Sequence, residues 1–490
     1  VETGYEDSFI DFFNRCRKLA IYLQDTGIQP GDIISSCSSN NLNSAVPFIS
    51  SLFIGAICAS TDPVLSPEVT THLLNITEPK LIFVSEDCID LIEESNYRAD
   101  NDYKLITLQE SKKYENLPNI LKRYSDEDAK QFELVFVEDT SSTACIVFSS
   151  GTTGFPKGSC LNHNYLSSNV ITKQFIELSD SNKHQDTVLS FTTLYWISGV
   201  VISLASYYYG FKRLTCCKFD PETIWGLVGK YNVKILPMSY YHCIEALDTL
   251  KVPQPNLNHL VILGGPISQT KQKQYADMLP NAYIINSYSM TEIGSVSINT
   301  DYRVPSSGKP VHNGQTIKIV NPETEQPLDL NKTGEIRVKH KFQMNGYYKK
   351  NSTGCWDTDG FFKTGDIGYL SNEFDLFVVD RNKEMFKYRS WHVIPKNIEH
   401  HILKHTCVTE CVVIGVPVEH DDNHAMAIVV LKHNSHVNSE ELLKYANNHL
   451  DDIHQIRAGI KFVTKDAIPY TTTGKINRLL LKTQILNGRS

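Results

Sequence analysis

What this sequence lacks narrows it first. Its twelve cysteines contain no CxxC pair, and spacings such as Cys216-Cys217 or Cys407 to Cys411 match no zinc pattern, so a reduced intracellular compartment is expected and a cysteine-based metal centre is not. Basic charge is not in surplus. The 490 residues carry a net charge of -8 with a pI near 6.1, which argues against nucleic acid or anionic membrane as a partner and makes any polyanion site a local one. Signal-peptide pattern, tandem repeat and low-complexity tract are all missing. From Thr187 to Phe211 there is no charged residue, a length that would span a bilayer. Its serines, threonines and aromatics suit a buried strand and helix beside a pocket instead, so no transmembrane segment is expected.

What is there begins with Ser149 to Gly158, SSGTTGFPKG, directly after the apolar run Thr143 to Phe148. Glycines let a backbone approach an anion, hydroxyls add donors and a lysine adds a compact positive charge, so this loop is suited to phosphates. It is not a Walker loop, because Lys157 lies between Pro156 and Gly158 rather than between Gly and Ser or Thr. Short β-branched runs alternate with amphipathic helical stretches through the first two-thirds: Asp32 to Ser36, Leu81 to Val84, Leu105 to Leu108, Thr143 to Phe148, Thr187 to Phe191, Lys234 to Pro237, Leu260 to Leu263 and Ala282 to Ile285. That pattern predicts an α/β fold of helix-covered parallel sheets with ligands beyond the carboxyl ends of strands. From Ser306 to Asp380 strands and turns predict a β-rich subdomain, and beyond it a small α+β unit. His401 and His405 are spaced as two ligands on one helix face, without a third nearby.

Four further segments stand in order after the first: NSYSMTEIG (Asn286 to Gly294), GFFKTGDIGY (Gly360 to Tyr369), VDRNKEMFKYRSWHVIPKNIE (Val379 to Glu399) and TTTGKINR (Thr471 to Arg478). Together the five resemble the adenylate-forming superfamily of acyl-CoA synthetases, firefly-type luciferases and peptide-synthetase adenylation domains, over nearly the whole chain. Within it the chain is most similar to the insect fatty acyl-CoA synthetase and luciferase branch. The resemblance implies a large N-terminal domain over 1–380 holding the ATP and acyl sites and a small mobile C-terminal domain over 381–490, with a hinge at Asp380 to Lys383. It also implies that a natural N-terminal segment precedes Val1. No carrier-protein domain is expected after Arg478. The chain ends Gly-Arg-Ser rather than Ser-Lys-Leu, and a cytoplasmic or peroxisomal location is expected.

The resemblance also assigns roles. Ser149, Ser150, Gly151, Thr152, Thr153, Gly154 and Lys157 would hold the ATP phosphates; Thr291 would contact the α-phosphate and Glu292 would bind Mg²⁺. Tyr288, within Ser287-Tyr288-Ser289-Met290, would stack on adenine opposite Gly264-Gly265-Pro266. Asp366 would hold the ribose, and Arg381 the ribose or a phosphate. Lys475 would bridge the carboxylate and α-phosphate in adenylation. After rotation about Lys383, Lys387 would act in the second half-reaction, with coenzyme A entering past Ser390, where the family usually has glycine. Tyr195, Trp196, Gly199 and Asn169 would border the acyl group. No acid occurs between Thr187 and Phe219 to receive an α-ammonium group, so a small-molecule carboxylic acid such as a medium- or long-chain fatty acid is expected rather than an amino acid. Beetle luciferases place an arginine at the position of Asn169. The expected activity is acyl-CoA synthesis; the alternatives are a luciferase using O₂ and a silent binding protein on the same fold.

Overall fold

Short, largely apolar strands pair side by side through their backbones, with helices in the connections between them. The computed structural model describes residues 4–149, 156–171, 186–265, 267–311, 314–381, 384–388, 391–418, 421–433, 435–448, 450, 452–470 and 476–488. It divides into two compact units, residues 1–316 with 338–362, and residues 317–337 with 363–490.

The first unit contains two seven-stranded sheets. In one, the strands run in the order Glu115–Asn116, Lys104–Thr107, Leu81–Val84, Ile33–Cys37, Ile57–Thr61, Thr143–Ser149, Lys157–Asn162. All pairings are parallel except the last, a hairpin. Ile33–Cys37 is buried along its whole length, as expected where both faces are covered. Its serines are satisfied internally: the Ser35 hydroxyl donates to the Ala59 carbonyl at 2.7 Å, and Ser36 and Ser60 share a hydrogen bond at 2.9 Å.

The second sheet repeats this plan, in the order Lys309–Pro310, Gly294–Asn299, Tyr283–Met290, His259–Leu263, Val233–Ser239, Thr187–Ser190, Lys212–Thr215. Its parallel strands again end in an antiparallel partner, Gly294–Asn299. Thr187 to Phe211 forms strand Thr187–Ser190 and helix Ile197–Tyr209, the strand and helix expected there. Among the described residues no helix is long and apolar enough to cross a membrane.

The second unit holds strands Phe362–Leu370 and Leu376–Arg381 of a four-stranded sheet, and a five-stranded sheet built on the long hairpin Val408–Val418 and Asp422–Leu431. Helix Pro395–Ile402 packs on this hairpin through Ile398 and Ile402. That helix ends before His405, so His401 and His405 do not share a helix face. His405 Nδ1 instead accepts a hydrogen bond from the Cys407 N–H at 3.3 Å. Among the described residues no group of three or more His, Cys, Asp or Glu could hold a metal. All twelve cysteines are free thiols.

Candidate active site

Both motif segments of the first unit follow the carboxyl ends of strands that pair with an antiparallel partner. Strand Thr143–Ser149 pairs antiparallel with Lys157–Asn162, with Ser149 opposite Lys157, and the glycine-rich segment lies between them in the sequence. Ser150, Gly151, Thr152, Thr153 and Gly154 lie outside the described residues. Strand Tyr283–Met290 turns into Gly294–Asn299 with Met290 opposite Gly294, and Thr291-Glu292-Ile293 is the tip between them. Alternation along Tyr283–Met290 carries Ser287 inward, where its hydroxyl pairs with Ser295 at 3.1 Å, and leaves Tyr288 partly exposed.

The second tip is clamped by side chains from other elements. Asn162 caps helix His163–Val170 by accepting from the Tyr165 N–H at 2.7 Å, as short polar side chains do at helix starts. The Tyr165 hydroxyl then donates to the Thr291 carbonyl at 2.8 Å. On the same helix Asn169 is 6% exposed; it donates to the Tyr165 carbonyl at 3.0 Å and accepts from the Ser295 N–H at 3.4 Å. A Cβ on Gly294, where φ is +88°, would stand 2.1 Å from Asn169 Oδ1. Asn169 is therefore engaged with the tip.

Tyr347 joins the two tips. Residues 344–348 run along the strand Lys157–Asn162, with the Tyr348 N–H donating to the Gly158 carbonyl at 2.8 Å and the Cys160 N–H to the Gly346 carbonyl at 2.9 Å. This carries the Tyr347 ring to 5.0 Å from Lys157 Nζ, within cation–π range. Its hydroxyl donates to Glu292 Oε1 at 2.8 Å. Burial and the adjoining Glu292 carboxylate push the Tyr347 phenol well above its ordinary range, while the Ser149 hydroxyl pulls the other way. Sequence reasoning passed over Tyr347 because NGYYKK reads as a turn with surface lysines.

The aromatic loop after Thr187–Ser190 divides between core and surface. Tyr195 is 1% exposed, stacked on Phe148 with ring centroids 6.0 Å apart and edge-on to Trp196 at 4.7 Å. It is a core residue beneath the first hairpin, whereas Trp196 keeps part of its surface. Over Gly199 there is no open space: a Cβ there would meet the Thr193 carbonyl oxygen at 2.0 Å. Although no acid lies between Thr187 and Phe219, the fold supplies one from the end of strand Ile57–Thr61. Asp62, 4% exposed, accepts from the Thr193 hydroxyl at 2.6 Å and the Val64 N–H at 3.1 Å. Burial raises its carboxyl pKa, and these donors oppose the rise. The oxygens of Asp62 are thus engaged in holding the loop.

Gly264 has φ +82°, and Gly265 lies so close to the Tyr240 ring that a Cβ would come within 2.5 Å of it. Pro266 is outside the described residues. Tyr240 begins helix Tyr240–Thr249, capped by Ser239, and is a second aromatic that sequence reasoning did not select.

In the second unit Asp366 is 4% exposed on strand Phe362–Leu370, paired with Arg381 across the hairpin. The Thr364 hydroxyl fixes the turn before it, accepting from the Asp366 N–H at 3.0 Å and donating to the Ile336 carbonyl at 2.6 Å. Lys387 lies opposite His392 in the short hairpin Phe386–Tyr388 and Trp391–Val393. Lys383, Ser390 and Lys475 fall outside the described residues. An isolated bridge pairs Tyr470 with Ile476, described residues on either side of Lys475.

Comparison with known proteins agrees with this arrangement. The family model for AMP-binding enzymes matches residues 2–348, and that for the AMP-binding enzyme C-terminal domain matches residues 397–475. The chain is 26% identical over 491 residues to a luciferin 4-monooxygenase of Photuris pensylvanica, covering 96% of this chain and 88% of that protein. It is 29% identical over 487 residues to the probable 4-coumarate–CoA ligase 1 of Dictyostelium discoideum, covering 95% and 88%. Among solved structures, the luciferase-like enzyme of the nonluminescent Zophobas morio mealworm is 31% identical with a TM-score of 0.70, covering 79% of this chain and 91% of that one. ATP-bound MatB from Rhodopseudomonas palustris, 20% identical, shares the fold with a TM-score of 0.87 over 100% of this chain and 95% of that one. With both family models matched in order along it, the chain belongs to the AMP-binding, adenylate-forming enzymes, which use ATP to adenylate a carboxylic acid.

Proposed function

We propose that this enzyme is an acid–thiol ligase that converts a medium- or long-chain fatty acid and ATP to acyl-AMP and pyrophosphate, then transfers the acyl group to coenzyme A with release of AMP. The observation that carries the reading is the meeting of the two hairpin tips, one with Ser149 and Lys157 and the other with Thr291 and Glu292, about the single side chain of Tyr347. Attack of a carboxylate on the α-phosphate brings two anions together, so catalysis consists mainly of positioning and charge neutralisation. The first tip would hold the β- and γ-phosphates through N–H groups, hydroxyls and Lys157. Thr291 would contact the α-phosphate. Adenine would lie between Tyr288 and the Gly264-Gly265 turn, and Asp366 with Arg381 would receive the ribose.

The site residues fit a magnesium ion. Their donors are oxygens, and one buried carboxylate suffices because Mg²⁺ takes one or two carboxylates and completes its shell with phosphate oxygens and water. Glu292 would hold it, and bound there it would offset phosphate charge. Lys475 would bridge carboxylate and α-phosphate during adenylation, and Lys387 would act in the thiol step after the C-terminal domain turns about Lys383.

Ligase is placed before luciferase for two reasons. The 31%-identical relative is a luciferase-like enzyme from a nonluminescent species, and 4-coumarate–CoA ligases match almost the whole chain. In addition, Asn169 stands where beetle luciferases carry arginine and is engaged with Tyr165 and Ser295. The luciferase reading remains the second, supported by the Photuris and Nipponoluciola relatives.

With fatty acid and ATP, AMP release should depend on coenzyme A and yield acyl-CoA. Light from a luciferin without detectable acyl-CoA would reverse the order. Within the same reading, Asp366→Ala should weaken ATP by the value of hydrogen bonds to a charged group, about 1.5–3 kcal/mol. An unchanged ATP dependence of pyrophosphate exchange would leave Asp366 a turn residue.

A further inference from the structure

We infer that Tyr347 is a positioning residue for the metal carboxylate, holding Glu292 by one oxygen so that the other is presented to the divalent cation that accompanies ATP. The inference rests on the reading of Glu292 as the metal ligand.

Glu292 is 7% exposed at the tip of its hairpin, and a buried carboxylate is costly unless its charge is compensated. The group hydrogen-bonded to it is a neutral phenol, at 2.8 Å on Oε1. A lysine or arginine in that place would neutralise the carboxylate and compete with a cation. A phenol orients it and leaves its charge available. The backbone is fixed from the same segment, since the Met344 N–H donates to the Glu292 carbonyl at 3.1 Å. Tyr165 holds the preceding carbonyl. Peptide groups on both sides of the carboxylate are therefore anchored, and among the described residues its side chain is oriented by the Tyr347 hydroxyl.

Tyr347 itself is held against strand Lys157–Asn162. It forms a bridge with Ser159, and its N–H donates to the Ser352 hydroxyl at 2.8 Å. With its ring beside Lys157 Nζ, the phenol ties the cation of the phosphate tip to the carboxylate of the metal tip. Outer partners that orient metal ligands are typically worth about 10–100-fold in metal affinity. The Tyr347 hydroxyl has the position and chemistry of such a partner.

The test uses the full chain with α,β-methylene-ATP, following free Mn²⁺ by electron paramagnetic resonance so that no turnover is needed. Tyr347→Phe keeps the ring beside Lys157 and removes only the hydroxyl. It should weaken Mn²⁺ in the nucleotide complex by about 10–100-fold, with metal-free AMP affinity and Tm unchanged. In a Glu292→Gln background the same change should have little further effect, because the hydroxyl acts through the carboxylate. Wild-type Mn²⁺ affinity in Tyr347→Phe, or losses that add in the double variant, would overturn the inference. So would a fall in Tm or AMP affinity of similar size, which marks packing. If Glu292→Gln itself leaves Mn²⁺ binding unchanged, the reading of Glu292 as the metal ligand falls, and the inference with it.

Discussion

Lys475→Ala should lower acyl-AMP formation by about 10²–10³-fold, the loss typical of one contact that stabilises developing charge, while a supplied acyl-AMP is still consumed by coenzyme A at nearly the wild-type rate. The reason is specific to one half-reaction. As carboxylate and phosphate approach, negative charge concentrates between them, and a contact stronger there than in the ground state accelerates the step. Lys475 belongs to the Thr/Gly-rich segment TTTGKINR, and the residues on either side of it, Tyr470 and Ile476, form a bridge. Pyrophosphate exchange and single-turnover thiolysis measure the halves separately. Equal losses in both, or in neither, would remove Lys475 from its proposed role.

Arg478→Ala should destabilise the C-terminal unit by about 3–5 kcal/mol, the cost of leaving a buried charge without its partner. Three residues after Lys475, Arg478 starts the helix Arg478–Leu486. Its guanidinium pairs with the Glu399 carboxylate, donates to the Val413 carbonyl at 2.7 Å and reaches Glu384 at 3.3 Å. The paired side chains of Arg478 and Glu399 are only 12% and 11% exposed, so solvent screens them little. Glu399 in turn accepts from the Val413 N–H at 2.7 Å. Removing the arginine leaves that carboxylate with a backbone partner alone. Denaturant unfolding with hydrogen exchange across Val408–Val418 would measure the loss. A change below about 1 kcal/mol would place the pair among screened surface bridges. Replacing Arg478 and Glu399 together by apolar residues of similar volume should recover most of the stability.

Much of the architecture was legible along the chain. Leu81–Val84 appears as expected from its apolar run, and the alternation of short β-branched runs with helical stretches became two parallel sheets. Strand Ile57–Thr61 and the return strands Lys157–Asn162 and Gly294–Asn299 were not anticipated. Their serines, cysteines and glycines lack strand character, and they are strands because a neighbour in register accepts their backbone bonds. Tyr283–Met290 runs on through Asn286-Ser287-Tyr288 for the same reason.

The order of the motifs, the composition of the glycine-rich segment and the alternating fold were determined by the sequence itself, because period, turn chemistry and composition are local properties. Tertiary structure alone decided that Tyr195 is core, that Asp62 reaches Thr193 from 131 positions away, and that Tyr347 meets Glu292 across 55 positions. Such pairings depend on strand order and register, which bring distant side chains within hydrogen-bond range and which no local pattern encodes.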